Sequence, residues 1–213
     1  MTSIVLAEDH QIVRQGCKAL LEHEPDLCVI GEAKDGVEAV TLVKQLSPDV
    51  LVLDLMIPRL HGLEVIRQVV ANAKATKVVV LSMHGEEPFV RGALQNGALG
   101  YVLKDCSSED LVQAVRAVVG GHRYLTPMLN DLAIRAFADS EMSTKDGYEK
   151  LTHRERLVMH LASEGLNNAE IGEKLTVSPR TVETHRSNLM SKLGLSSQTD
   201  LVRFVIRKGF LEP

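Results

Sequence analysis

The chain has 213 residues, enough for one large or two small domains; 45% are hydrophobic and 24% are charged. This balance indicates a globular protein with enough apolar mass for real cores. No run approaches the roughly 20 apolar residues of a membrane span, and the start lacks the basic region and cleavage site of a signal peptide. We therefore expect a cytoplasmic protein with no membrane partner. Its three cysteines are odd in number and unclustered, which fits neither a disulfide framework nor a zinc site.

Charge is distributed unevenly along the chain. The net charge of −4 argues by itself against a nucleic-acid partner. Residues 1–120 carry a net charge of −5 and residues 121–149 of −2, whereas residues 150–213 carry +3. An acidic front half and a mildly basic end indicate two parts with different functions, although +3 supports DNA binding only weakly.

The first 120 residues alternate short β-branched runs with amphipathic stretches of helical period. Val50–Leu53 and Val78–Leu81 are apolar at every position, which is typical of strands buried on both faces. Five β-α repeats predict a doubly wound, flavodoxin-like α/β domain with a five-stranded parallel sheet in the order 2-1-3-4-5. The predicted strands are Ser3–Ala7, Cys28–Ala33, Val50–Asp54, Lys77–Ser82 and Gly100–Leu103.

The pattern changes after residue 120. Pro127–Phe137 could form one more helix, and the polar stretch Asp139–Lys150 has the composition of a flexible linker, so residues 121–150 are expected to be a helix and linker. From Leu151 onward only helical patterns follow, near 153–164, 168–175, 179–193 and 197–207. Residues 151–213 are therefore predicted to form an all-α four-helix domain.

Acidic side chains gather where the predicted strands end. Glu8 and Asp9 follow the first strand and Asp54 closes the third, its neighbour in the sheet, so folding brings the three carboxylates to one edge. Three carboxylates repel each other unless a cation lies among them, and oxygen ligands of this kind suit Mg²⁺. Ser82 closes the fourth strand and Lys104 closes the fifth. This set predicts a phosphoryl site, with Asp54 as the nucleophile and Lys104 beside the transferred group.

A simpler structural interpretation applies to each of these residues alone. An Asp at a strand end is most often a turn residue, and the Glu8–Asp9 pair could simply cap the first helix. Five such residues, all at the ends of strands, are much harder to ascribe to chance.

The front half resembles the receiver domain of two-component response regulators over residues 1–120. The segments that carry the resemblance are AEDH at Ala7–His10, DLMIPRLHG at Asp54–Gly62, LSMH at Leu81–His84 and GYVLKD at Gly100–Asp105. The resemblance implies that a phosphohistidine on a partner sensor histidine kinase donates its phosphoryl group to Asp54.

The same resemblance assigns the neighbouring residues. It gives Mg²⁺ to Glu8, Asp9 and Asp54, with the main-chain carbonyl of Met56 as a further ligand. It makes Ser82 and Tyr101 the switch pair: Ser82 would move to the phosphoryl group and Tyr101 would turn inward behind it. Apolar Met56 and bulky Met83 occupy positions that influence attack by water, so the lifetime of the phosphate stays open.

The back half has the pattern of a helix-turn-helix. Thr176 and Val177 form the turn between two helices, and the second helix has a polar, partly basic face suited to the DNA major groove. A helical hairpin with a polar face is usually just a solvated surface. The segments LTHRERLV at Leu151–Val158 and EGLNNAEIGEKLTVSPRTVETHRSNLMSKLGLSS after it closely resemble the LuxR-type DNA-binding domain, so the whole chain is similar to NarL/FixJ-type response regulators.

This second resemblance implies a set of DNA contacts and a pairing surface. Glu183 stands where many relatives carry a basic residue, so the operator cannot be borrowed from them. For Leu201 and Phe204, ordinary core packing is an equal alternative to pairing on DNA. The residues assigned to DNA are Arg180, Thr181, Glu183, Thr184, Arg186, Ser187 and Lys192, and those assigned to dimerisation on DNA are Asp200, Leu201 and Phe204.

We expect a transcription regulator whose phosphorylation at Asp54 controls dimerisation and binding to a double-stranded operator with paired half-sites. One alternative is an aspartate-nucleophile phosphatase of the haloacid-dehalogenase kind, but that chemistry needs an acid two residues after the nucleophile, where Met56 stands. A second alternative is a module that regulates without phosphorylation, its receiver serving only for dimerisation; the complete acidic set and Lys104 argue against it.

Overall fold

The computed structural model describes residues 1–129, 147–208 and 210. The chain divides into two compact units, Met1–Ser140 and Glu141–Pro213. Within the described ranges, no helix has the length and apolar character needed to cross a lipid bilayer.

The first unit is built on a parallel sheet in the order β2-β1-β3-β4-β5-β6. The five predicted strands and their order are confirmed, and a two-residue strand pairs with β5 at the edge as a sixth. The strands are β1 Thr2–Ala7, β2 Leu27–Ala33, β3 Val50–Asp54, β4 Lys77–Ser82, β5 Gly100–Leu103 and β6 Tyr124–Leu125.

Five helices connect these strands and cover the sheet. Ile4 and Leu6 of β1 belong to a buried cluster with residues of the first and fifth helices, whereas Gly31 of β2 faces Leu42 and Leu46 of the second. Every residue of β3 is buried, because both faces of this central strand are covered. The helices are α1 Gln11–Glu22, α2 Gly36–Leu46, α3 Gly62–Asn72, α4 Glu87–Gln95 and α5 Ser108–Val119.

Two short 3-10 helices precede and follow residues 130–146 in the sequence. Of the predicted helix at 127–137, Pro127–Leu129 forms a 3-10 turn, and residues 130–137 lie outside the described part of the chain. Of the predicted linker at 139–150, only the last four residues are described, as the 3-10 helix Gly147–Lys150.

The described part of the second unit contains the four predicted helices. Thr152 and Glu155 form the capping box that begins the first of them, and the Ser178 hydroxyl accepts the Thr181 N–H at the start of the third, where Pro179 is the first helical residue. The helices are α6 His153–Ser163, α7 Asn168–Leu175, α8 Pro179–Leu193 and α9 Gln198–Arg207.

Gly172 allows α7 to pack closely against the turn that precedes α8. A Cβ atom at this position would lie 2.7 Å from the main-chain oxygen of Val177, which real side chains do not tolerate. Gly in a helix is less stable than Ala by up to about 1 kcal/mol. At position 172 it permits the close approach of α7 to the turn before α8.

Candidate functional site

Lys104 joins two buried carboxylates at the carboxyl edge of the sheet. Its Nζ lies 2.7 Å from Glu8 Oε2 and 2.9 Å from Asp54 Oδ2, although these residues are far apart in sequence. Glu8 is fully buried and Asp54 is 5% exposed. Burial works to lower the pKa of Lys104, but the hydrogen bonds and charges of Glu8 and Asp54 outweigh it, so the pKa is raised and the ammonium is retained.

The acidic side chains of this edge converge as the sequence predicts. Potential ligand atoms of Glu8, Asp9, His10 and Asp54 all lie within 4.8 Å of one another. The His10 Nδ1 atom lies 2.9 Å from Asp9 Oδ1 and 3.3 Å from Glu8 Oε1. Carboxylate oxygens from two neighbouring strands fit the preference of Mg²⁺ for hard oxygen ligands. The contact of the His10 ring with these acids is not predictable from the sequence, because no residue pattern shows that the ring turns back to them.

The two proposed switch residues are connected through the main chain of His84. The Ser82 hydroxyl accepts the His84 N–H at 3.1 Å, and the Tyr101 hydroxyl donates to the His84 carbonyl at 2.7 Å. Both Ser82 and Tyr101 are fully buried, and burial raises the pKa of Tyr101 above its usual range. The inward position, which the resemblance assigns to the phosphorylated form, is therefore the position of the Tyr101 ring in this structure.

The loop after Asp54 is fastened to the start of α2. The Gly36 N–H donates to the Pro58 carbonyl at 3.0 Å, and Arg59, whose φ is +66°, places Nη1 3.0 Å from Asp35 Oδ2. A Cβ atom on Gly36 would overlap the carbonyl oxygen of Leu60, so only glycine fits there. This contact was not predictable from the sequence, because it depends on two loops that meet only in the folded domain.

The second unit presents an exposed polar face on α8. Val182 and Leu189 are fully buried and fix the orientation of the helix. Thr184 is held to its own helix, since its hydroxyl donates to the Arg180 carbonyl at 3.0 Å. The predicted DNA-contacting residues that are exposed on this helix are Arg180, Thr181, Glu183, Thr184, Ser187 and Lys192.

Two family models match the chain, one in each unit. The model of the response regulator receiver domain matches residues 4–116, and the model of bacterial regulatory proteins of the luxR family matches residues 149–205. The chain belongs to the response regulators. It combines a receiver domain with a LuxR-type DNA-binding domain.

Known proteins resemble the response regulator, and at least two of them do so over nearly its whole length. The oxygen regulatory protein NreC of Staphylococcus carnosus is 38% identical, over 98% of this chain and 99% of that protein. An RcsB response regulator solved in complex with DNA is 25% identical with a TM-score of 0.60, over 97% of this chain and 98% of that one. The receiver domain of a NarL response regulator from Mycobacterium tuberculosis is 36% identical with a TM-score of 0.55, over 57% and 98%.

The family consists of transcription regulators rather than metabolic enzymes. The phosphatase alternative is therefore set aside for this response regulator.

Two of the cationic residues predicted to contact DNA form hydrogen bonds or ion pairs within their own domain. Arg186 donates to Asn168 Oδ1 at 3.1 Å and also to Gln198, which ties α8 to both α7 and α9. Lys192 Nζ lies 2.8 and 2.6 Å from the two carboxylate oxygens of Glu155, whose side chain is only 3% exposed. These contacts give both cations a role in joining helices.

The residues predicted to pair two DNA-binding domains are largely internal. Leu201 is fully buried and Phe204 is 6% exposed, because both lie on the face of α9 that packs into the core of its own domain. Asp200 accepts a hydrogen bond from Ser197 at 2.7 Å in the first turn of the helix. Leu201 and Phe204 therefore pack into the core of their own domain, and the assignment of Asp200, Leu201 and Phe204 to dimerisation on DNA stays a prediction.

Proposed function

We propose that Asp54 of this response regulator accepts a phosphoryl group from a phosphohistidine of a partner sensor histidine kinase. The observation that carries the proposal is the bridge from Lys104 to the buried carboxylates of Glu8 and Asp54, with Asp9 beside them at the open edge of the sheet. Buried carboxylates this close to one another and to a retained ammonium form a site for a charged group rather than an ordinary helix cap.

In the transfer, an oxygen of Asp54 forms a bond to phosphorus while the phosphorus–nitrogen bond to the kinase histidine breaks. The electron pair of the broken bond stays on the imidazole, and Asp54 becomes an acyl phosphate. Lys104 keeps its positive charge near the transferred oxygens, and the Ser82 hydroxyl lies at the end of the adjacent strand to donate to one of them. No water or acid is needed in this step, which agrees with apolar Met56 two residues after the nucleophile.

Glu8, Asp9, Asp54 and the main-chain carbonyl of Met56 are the proposed ligands of Mg²⁺. The ion, when bound, supplies positive charge that offsets the charge of the phosphoryl oxygens. The Met56 N–H donates to Asp54 Oδ1 at 3.1 Å, which orients one carboxylate oxygen and the start of the loop that carries the carbonyl.

The proposed output is a dimer on a double-stranded operator with paired half-sites. RcsB has been solved as dimers bound to DNA, and NreC is named an oxygen regulatory protein. By analogy, phosphorylation would favour receiver pairing and so place two DNA-binding domains on two half-sites at high effective concentration. The proposed boundaries are 1–120 for the receiver, 121–150 for the connecting segment and 151–213 for the DNA-binding domain.

Phosphorylation of the full-length protein tests the assignment of Asp54. Acetyl phosphate with Mg²⁺ is expected to add one phosphoryl group to the wild type, detected by intact mass, and none to Asp54→Ala. Asp105→Asn is a matched control, because Asp105 is an exposed carboxylate immediately after Lys104. Undiminished labelling of Asp54→Ala would place the nucleophile elsewhere. If the unlabelled protein already binds DNA as tightly as the labelled one, the module that acts without phosphorylation becomes the better description.

A further inference from the structure

Arg14 of α1 reaches back to the segment that carries two of the proposed Mg²⁺ ligands. Its Nη1 donates to the main-chain carbonyl of Glu8 at 2.7 Å and approaches the carbonyl of Asp9 at 3.5 Å. The guanidinium is largely buried, with a side-chain exposure of 17%. Arg14 therefore contacts the backbone of the Glu8–Asp9 segment and leaves the carboxylates free to face Asp54.

The other side of the guanidinium is held by β2. Arg14 Nε donates to Glu32 Oε2 at 3.3 Å, and Lys18 Nζ binds the second oxygen of the same carboxylate at 2.7 Å. The hydrogen bond from Lys18, with Arg14 beside it, holds the pKa of Glu32 below its usual range. Since Glu32 pairs with Leu6 of β1 in the sheet, Arg14 connects the end of β1 to a rigid neighbouring strand.

The segment that follows β1 at Glu8 needs such a connection. The Glu8 N–H donates to the Ala33 carbonyl at 3.0 Å, which is the last sheet bond of this segment, and β1 itself ends at Ala7. The Glu8 carbonyl lies beyond the hydrogen bonds of the sheet. A buried main-chain carbonyl that lacks a hydrogen-bond donor lowers the stability of the fold. The planar guanidinium binds the carbonyl through Nη1 and the carboxylate through Nε, in a fixed fork that the single nitrogen of a lysine does not reproduce.

We propose that Arg14 is a positioning residue that fixes the Glu8–Asp9 segment so that both carboxylates meet Asp54 in the geometry that Mg²⁺ requires. The inference rests on the proposed function and extends it to a residue outside the acidic set. Mg²⁺ demands near-ideal octahedral geometry, so loosening the backbone of two ligands weakens binding even when every ligand is present.

The sign of the effect separates positioning from simple electrostatics. Arg14 is a cation close to a cation site, and removing its charge would by Coulomb's law alone tighten Mg²⁺ binding. Positioning predicts the opposite, weaker binding, for Arg14→Gln and also for the charge-preserving Arg14→Lys. Lys18→Gln is the matched control. It removes one positive charge beside the same Glu32 carboxylate, and no contact joins Lys18 to the carbonyls of the Glu8–Asp9 segment.

The experiment measures the Mg²⁺ dissociation constant of the full-length protein by titration followed with amide NMR, and the rate of labelling by acetyl phosphate across Mg²⁺ concentrations. We expect Arg14→Gln and Arg14→Lys to weaken Mg²⁺ binding about tenfold. Labelling is expected to need correspondingly more Mg²⁺ and to recover at saturating Mg²⁺. Lys18→Gln is expected to stay within about twofold of the wild type. Unfolding midpoints are measured for every variant, and Arg14→Lys carries the test if Arg14→Gln folds poorly.

Each outcome is distinct from failure of the proposed function. A wild type that is labelled at Asp54, together with Arg14 variants of unchanged or tighter Mg²⁺ affinity, overturns the role of Arg14 alone. A labelling loss that saturating Mg²⁺ does not restore also overturns it, because the defect then lies beyond ligand positioning. A wild type that is not labelled at all overturns the function on which the inference rests.

Discussion

The two units of the response regulator both bury charged or polar side chains, but they use them differently. In the receiver, Glu8, Asp54 and Lys104 come from three different strands and meet at one edge of the sheet. In the DNA-binding domain, buried Glu155 and half-buried His160 both lie on α6 and contact other parts of that domain.

The difference follows from the two architectures. Parallel strands bring their carboxyl ends to a common edge, so residues distant in sequence converge there into a site. Helices in a small bundle bury polar groups between elements, and the surface left for a partner is the exposed face of a helix such as α8. Changes at the buried polar groups of the receiver are therefore expected to alter its chemistry, and those of the DNA-binding domain to alter its stability.

His160 offers the largest test of this contrast. Its side chain is half-buried, its ring lies 4.8 Å from that of Phe210, and burial together with the charge of Arg156 lowers its pKa from 6.5 to about 4. Between these values the unfolded chain binds a proton that the folded domain does not. Stability is therefore unaffected above pH 7 and falls as the pH drops from 6.5 toward 4, where the loss reaches about 3 kcal/mol.

The measurement compares wild type with His160→Gln, because glutamine does not titrate in this range. The chain has three tyrosines, of which Tyr148 lies in the second unit, so NMR of labelled tyrosine follows the unfolding of each unit separately. We expect the free energy of unfolding reported by Tyr148 to decrease more steeply below pH 6.5 in the wild type than in the variant. Parallel pH profiles would show that His160 titrates normally in the fold.

Lys192 provides the second test, because the resemblance assigns it to DNA and the structure pairs it with buried Glu155. Removing its charge leaves that carboxylate with the capping hydrogen bond that it accepts from the Thr152 N–H. We expect Lys192→Met to lower the free energy of unfolding by about 2 kcal/mol, discounted from a fully buried pair because Lys192 is 36% exposed.

The salt dependence of DNA binding decides between the two roles. Loss of one phosphate contact lowers the slope of log affinity against log salt by about one. Lys192→Met is expected to change this slope by less than one. Lys174 is an exposed lysine on α7, so Lys174→Met serves as the control for stability. Unchanged stability together with a slope reduced by a full contact would restore Lys192 to the DNA surface.

Most of the fold follows from the periodicity of the sequence. Continuous apolar runs such as those in β3 and β4 are long enough to distinguish buried strands, and capping signals such as Thr152 and Ser178 locate helix starts. The sixth strand was missed because Tyr124–Leu125 is too short to show a period. Its place is fixed by tertiary bonds, such as the one from the Thr126 N–H to the Tyr101 carbonyl at 3.0 Å.

Some residues of the candidate site could be predicted from the sequence and others could not. Asp54 and Lys104 were predictable because each closes a strand, and the sheet order alone brings them together. Arg14 and the anchor between Asp35 and Arg59 were not, because a long side chain or a loop reaches its partner only after the elements have packed. The burial of Leu201 was likewise ambiguous, since a helical apolar stripe does not say which neighbour covers it.

The smallest expected effect concerns the lifetime of the phosphate on Asp54, where the receiver meets solvent. Met56 offers no side-chain hydrogen bond to an attacking water, so we expect Met56→Asn to speed loss of the phosphoryl group several-fold, on the order of 1 kcal/mol in activation free energy. Met83 is 68% exposed, so its side chain gives water little obstruction, and Met83→Ala is expected to change the rate by less than about threefold. Decay of the labelled wild type and both variants, followed by intact mass at fixed Mg²⁺, measures this difference. If Met83→Ala decays faster than Met56→Asn, then access at the mouth limits the reaction rather than orientation of the water beside Asp54. If all three proteins decay alike, neither methionine controls the reaction, and the lifetime is set by the buried groups that also distinguish the receiver from its partner domain.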